Sequence, residues 1–219
     1  MHEESLRVSP SRFAQLCKVL FLNIIKKTRK GFQVSNLQKF CLLIRNRSKE
    51  HRKSILVLEK EGLYGQTISI LRQELDSMIR VLFLLTQDVK TRNELMELTL
   101  NGDEWRLGKS RVTDRAMVNA SQKMHGWANS VYKFGCAFIH LSSFHNYLEL
   151  DPFLNLEKEE MESIKQHMIH YHFYPPSDNI TMNSLYPYIL SIFEKIERSL
   201  ERYLENLESE KTEEIWGIA

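Results

Sequence analysis

Apolar residues recur along this chain at three- and four-residue intervals, the spacing that gathers them on one face of an α-helix. After Ser9-Pro10, a capping residue followed by the ring tolerated at a first helical position, the series Phe13, Leu16, Cys17, Leu20 and Ile24 begins. Lys26, Lys27, Arg29 and Lys30 then supply the cations that a helix C-terminus favours, and Gly31 can close it, so the spacing predicts a helix near 10–30. Ser35-Asn36-Leu37-Gln38 reads as a capping box, and no Pro or Gly interrupts the chain from there to Glu61. That predicts one rod near 36–61, roughly 39 Å long at about 1.5 Å per residue.

Ile68, Leu71, Leu75, Ile79, Leu82 and Phe83 form the stripe of a helix near 64–86, with Arg72 and Asp76 as an i,i+4 pair beside it. A shorter helix near 88–100 ends at Asn101-Gly102. The polar stretch 101–115 reads mostly as loop, and a helix near 114–125 follows with Asp114 at its start. Residues 127–146 are apolar almost all round, through Trp127, Val131, Phe134, Phe138, Ile139, Leu141 and Phe144, which predicts a central buried helix. Helices near 156–171 and 184–209 lie on either side of Pro175-Pro176, and nothing reads as a strand. The expected fold is all-α, an up-and-down bundle of five to seven helices. It forms one domain over 1–219, with its core at about 9–208 and a frayed acidic tail at 209–219.

Composition agrees: 8 Gly and 5 Pro in 219 residues leave few turn-formers, hence few and long elements. The longest apolar run, Val81 to Leu85, is far below the ~20 residues that span a bilayer, so no membrane partner is expected. No secretory signal is visible, and Cys17, Cys41 and Cys136 are an odd set without CxxC spacing, so the expectation is reduced core thiols in a cytoplasmic protein. The net charge of +2 hides an asymmetry, with +10 over residues 1–60, 0 over 61–150 and −8 over 151–219. A basic end suits phosphates; equally, the two ends can neutralise each other in the fold or in a dimer.

Candidate chemistry gathers at Tyr132-Lys-Phe-Gly-Cys-Ala-Phe-Ile-His140-Leu-Ser-Ser-Phe-His145-Asn-Tyr147, where two histidines, two serines and a tyrosine close a greasy segment. Such side chains either cap the helix and tie it to its neighbours, or line a shared site with Arg72 and Asp76. The segment resembles the HEPN group of helical-bundle proteins, whose signature is an Arg, four to six residues, then His at the end of a long helix, with one branch continuing His-x-Tyr. His145 and Tyr147 match, and His140 stands at the Arg position; Ile70-Leu71-Arg72-Gln73-Glu74-Leu75-Asp76 also resembles a helix of HEPN-like bundles.

The resemblance covers about 64–150. It implies metal-independent RNA cleavage at a homodimer interface, without cofactor, by a toxin- or defence-type ribonuclease or a descendant that only binds RNA. His145 would be general acid/base, His140 and Arg72 would hold phosphate, Asp76 would orient Arg72, and Tyr147 would support the site. It also implies a cognate antitoxin or nucleotidyltransferase as partner, the latter acting on Tyr147. The alternative is a non-catalytic scaffold or adaptor that assembles through its basic and acidic helices.

Two further patterns compete. Arg45-Asn46-Arg47-Ser48-Lys49-Glu50-His51 fits Arg-Asn-x4-His, although a charged run mid-helix is ordinarily a solvated face. His167, His170 and His172 could offer two ligands from one helix face, but no Cys, Asp or Glu stands at finger spacing, and no metal is expected. Tyr132, Tyr147, Tyr171, Phe173, Tyr174, Tyr186 and Tyr188 are either base-stacking or core aromatics. Gly-rich phosphate loops, GxSxG and HExxH are absent, which leaves nucleotide triphosphatase, α/β-hydrolase and zincin chemistry without support.

Overall fold

A computed structural model describes residues 34–122, 124–176 and 179–209. The helix expected near 10–30, Cys17 and the tail beyond 209 lie outside these residues. The all-α expectation holds: α1 (Asn36–Lys60), α2 (Tyr64–Leu85), α3 (Val89–Asn101), α4 (Asp114–Ser121), α5 (Ala128–Ile139), α6 (Lys158–His172), the single turn α7 (Met182–Leu185) and α8 (Ile189–Glu208) follow in order. No helix among the described residues is long and apolar enough to cross a membrane. Gly62 (φ +68) ends the first rod and Gly102 (φ +80) caps α3, both in the left-handed region that glycine enters without strain.

The centre of the bundle is α2, not the 127–146 segment. It packs against α1, α4, α5 and α8, and residues on every side of it are buried, from Ile68 through Leu75, Ile79 and Val81 to Leu84. Its stripe was visible in the sequence; that its polar residues are buried as well was not. α5 is shorter than expected and buries a single face through Ala128, Val131, Phe134, Gly135 and Phe138, leaving Ile139 and Leu141 exposed. It stops at Ile139 because His140 turns extended (φ −97, ψ 144) and the Ser142 hydroxyl takes up the Ala137 carbonyl, 2.6 Å away. A 3-10 turn, Ser143–Asn146, replaces the last helical turn.

The loop expected at 101–115 holds a small antiparallel hairpin, β1 (Arg106–Leu107) on β2 (Ser110–Arg111), with Gly108 at φ +60 in its turn. Two-residue strands carry too little alternation to be seen in a sequence. Within the described residues, the basic α1 meets the acidic α8: Arg45 pairs with Glu201 and Glu208, and Arg52 pairs with Glu194 and Glu197.

Candidate functional site

The sequence-predicted site residues separate into two places. His140 and His145 are both exposed at the end of α5. The His145 Nδ1 accepts the Ser142 backbone N–H at 3.3 Å while Ser142 Oγ accepts from Phe144, a reciprocal cap that fixes the 3-10 turn. Tyr147 folds back on α2, its ring stacked at 5.7 Å on Tyr64 and within 3.2 Å of where a Cβ on Gly65 would stand. Ser69 ties the same end down by donating to the Phe138 carbonyl at 3.0 Å. The same segment exposes Ile139, Leu141, Leu148, Leu150 and Leu154, with Leu141 at 96% and Leu148 at 86% exposure.

Arg72 and Asp76 are elsewhere. Tyr147 meets α2 at Tyr64 and Gly65, whereas Arg72 lies two turns further on, about 10 Å along the axis. Among the described residues neither His140 nor His145 shares a hydrogen bond, ion pair or ring contact with Arg72 or Asp76. Arg72 runs under α5, where Gly135 admits it: a Cβ at 135 would stand 2.6 Å from the Arg72 Cβ. Its guanidinium stacks on the Tyr132 ring at 3.8 Å. Burial raises the Tyr132 hydroxyl above its ordinary pKa, against the pull of Arg72.

The Arg72 terminal nitrogens stand 3.9 Å from Asp76 and 3.6 Å from Asp114, too far for hydrogen bonds, and its Nε has no partner. Arg80 serves the same two carboxylates at 2.9 and 3.1 Å, and Arg47 reaches Asp76 at 3.7 Å. Asp76 therefore orients three arginines, not Arg72 alone. In front of this network opens a cleft of about 830 Å³, walled by Phe40, Leu43, Ile44, Trp105 and Tyr132 and rimmed by Arg111 and Arg115.

The competing pair is divided by the fold. Arg45 is clasped by Glu201 and Glu208, which raise its pKa further. His51 is buried and donates from Nδ1 to Glu74 at 2.6 Å, while Ser48 donates to the other Glu74 oxygen at 2.5 Å. The solvated face expected there is thus the inner face of α1, with Ser48 and His51 set among Phe40, Cys41, Ile44 and Ile55. Burial first, then Glu208, pushes the Cys41 thiol up to about 12, so it is no nucleophile. Cys41 and Cys136 are both free.

Of the third histidine set, His170 is exposed, whereas His167 and His172 are buried with ring centroids 5.4 Å apart. Trp127 packs on His167, and Lys195 lies 3.5 Å over the adjoining Tyr171 ring. Burial drives His167 down to about 3 and His172 to about 4, with Lys195 adding to both. No group of three or more potential metal ligands gathers among the described residues.

Sequence reasoning passed over Glu74, Arg80, Asp114 and His125, the last held at 2.5 Å by the Tyr203 hydroxyl and lowered to about 4 by burial, then by Arg202 and Lys195. Arg80 was open to it: Asp76 and Arg80 repeat the i,i+4 spacing of Arg72 and Asp76 one turn on. No family model, curated protein or solved structure matches the chain.

Proposed function

We propose that the chain is a HEPN-like protein acting on RNA, with His140, His145 and Tyr147 at the acting surface. The observation that carries this reading is two exposed histidines, His140 at the end of α5 and His145 in the capped turn after it, in a segment with an exposed apolar rim of Ile139, Leu141, Leu148, Leu150 and Leu154. Such a rim suits contact with a second copy, which would set two histidine pairs face to face. Within that pair one imidazole takes the proton of a ribose 2′-hydroxyl and the other, protonated, steadies the phosphate. Arg72 and Asp76 leave this list, because among the described residues neither shares a hydrogen bond, ion pair or ring contact with His140 or His145. The adaptor alternative is less well supported, since Arg45 and Arg52 of its basic helix already bind the acidic helix of the same chain.

The deciding experiment incubates the protein, with EDTA, against labelled RNA, beside His145→Ala and Leu141→Glu. Wild type should cleave while both variants, still folded, lose at least a hundredfold. No cleavage by wild type, or full activity in His145→Ala, rejects the ribonuclease form of the proposal.

A further inference from the structure

Helix α8 carries a second charged face, turned away from α1, whose cations are not spent inside the chain. We infer that Lys195, Arg198 and Arg202, with the rings of Tyr171 and Phe173 at the end of α6, form a binding track for single-stranded RNA. The inference rests on the RNA reading above for the identity of the polyanion. Spacings of three and four residues set the three cations on one stripe of α8. None of them forms an ion pair among the described residues. Arg198 donates from Nε to the Glu194 carbonyl of its own helix, Lys195 lies 3.5 Å over the Tyr171 ring, and Arg202 lies 5.4 Å over the Tyr203 ring. Four acids of α8 are drawn to the other side, Glu194 and Glu197 by Arg52 and Glu201 and Glu208 by Arg45. Glu205 is the remaining acid of this helix, and among the described residues it pairs with none of the three cations.

The titratable groups around the stripe report the same positive surroundings. Burial is the first cause that lowers His125, His167 and His172, and after it every charge acting on them is positive: Arg202 and Lys195 on His125, His172, Lys195 and His170 on His167, and Lys195 on His172. Lys195 is itself lowered, by burial and then by Arg198. From Ser163 to Pro176 the sequence has no acid. Beside these cations Phe173 stands 92% exposed at φ +57, in the left-handed region that a bulky side chain enters only under constraint, and Tyr171 is exposed as well. An acidic peptide would use the cations and leave the rings in water. A single strand uses both, its phosphates on the cations and its bases on the rings. The track lies at the Trp127 end of α5, where Lys195 stands 5.4 Å over the indole, about 18 Å along that helix from His140.

The test is binding of the full chain to a labelled oligouridine, read by fluorescence anisotropy with EDTA at several salt concentrations. Arg198→Gln with Arg202→Gln, both at exposed positions, should weaken binding about tenfold or more. The slope of log K against log salt should fall by about 1.4, two phosphates at about 0.7 each. Phe173→Gly, whose new residue accepts φ +57 without strain, should weaken binding about fivefold or more and leave the slope as it is. Lys49→Gln with Lys53→Gln removes the same charge from exposed positions of α1 and should change binding less than about twofold. Equal binding by wild type and the stripe variant overturns the inference and leaves the RNA reading standing. No binding by wild type overturns both. Full affinity in Phe173→Gly, weakening as large in the α1 variant, or displacement by polyglutamate as effective as by unlabelled RNA also overturns it, because each marks general charge attraction without a track.

Discussion

Arg72 and Glu74 leave the same helix two residues and about 200° apart, so they enter different neighbourhoods. Glu74 is wholly buried and both its oxygens are engaged, one by Ser48 and one by His51. Arg72, almost as buried, has an Nε without a partner, carboxylates at 3.6 and 3.9 Å, and Tyr132 beside it. A buried charge whose hydrogen bonds are complete tightens the fold around it. One whose hydrogen bonds are incomplete carries part of its desolvation cost uncompensated. The first arrangement fastens α1 to α2, and the second lies between α2 and α5, under Tyr132 and Gly135.

Removing the completed arrangement should have the largest effect. Glu74→Ala takes away the acceptor and strands the His51 N–H and the Ser48 hydroxyl in the core, which should cost about 3–5 kcal/mol in urea unfolding. Glu74→Gln, which keeps one acceptor, should cost clearly less. A loss below about 1 kcal/mol for the alanine variant would mean that the triad is ornamental and the contrast with Arg72 empty.

The pair His167 and His172 extends the comparison to a site where, among the described residues, no acid pairs with either ring. Lys195, and behind it Arg198, are the charges near it, while Tyr171, Trp127 and the exposed His170 pack around it and the Ser191 hydroxyl stands 3.3 Å from His172 Nδ1. Both histidines have folded pKa values depressed below the ordinary 6.5, to about 3 and about 4. The unfolded chain therefore binds the protons first. Stability is complete above about pH 6.5 and falls as the pH drops toward 4. Between pH 7 and 5 each histidine should remove about 2 kcal/mol. His167→Gln with His172→Gln should flatten that slope in denaturant titrations at the two pH values, and an unchanged slope would exclude these two as its origin.

How much of this the sequence carried depended on reach. The i,i+4 pair Arg72–Asp76 was legible because a helix brings its own residues together, and it formed as expected. The partners of Glu74 lie 26 and 23 residues upstream on another helix, and no local spacing reports them. A signal did exist: Ser48 and His51 continue the 40, 41, 44, 55 series of buried positions on α1, and polar residues inside an apolar stripe announce a partner across the interface. The surrounding Arg47, Lys49, Arg52 and Lys53 obscured it. The end of α5 was misjudged for a similar reason. Leu141 and Phe144 kept the apolar count high, although Ser142 was already a cap for a separate turn.

Gly135→Ala sharpens the unsatisfied side of the comparison. The new methyl would meet the Arg72 Cβ at 2.6 Å, an atom fixed to the backbone of α2, so α5 must lift or Arg72 must turn. Overpacking of this kind should cost about 1–3 kcal/mol in thermal unfolding. A variant as stable as wild type would show that Arg72 has room to spare and that its position is not set by α5.

The smallest effect belongs to the charges that look most numerous. Arg52 meets Glu194 and Glu197, but it is 43% exposed and its partners are 42% and 25% exposed, so water screens the attraction. Arg52→Ala should therefore cost only about 0.2–1 kcal/mol, and the loss should shrink as salt is raised past about 0.5 M. A double-mutant cycle with Glu197→Ala isolates the pair from the lost packing of the arginine stem. A coupling as large as that of His51 with Glu74 would mean that the α1–α8 charge seam, and not the buried triad, registers the first helix against the bundle. A small coupling leaves the seam its other consequence: it neutralises the basic helix within the chain and removes those cations from any RNA.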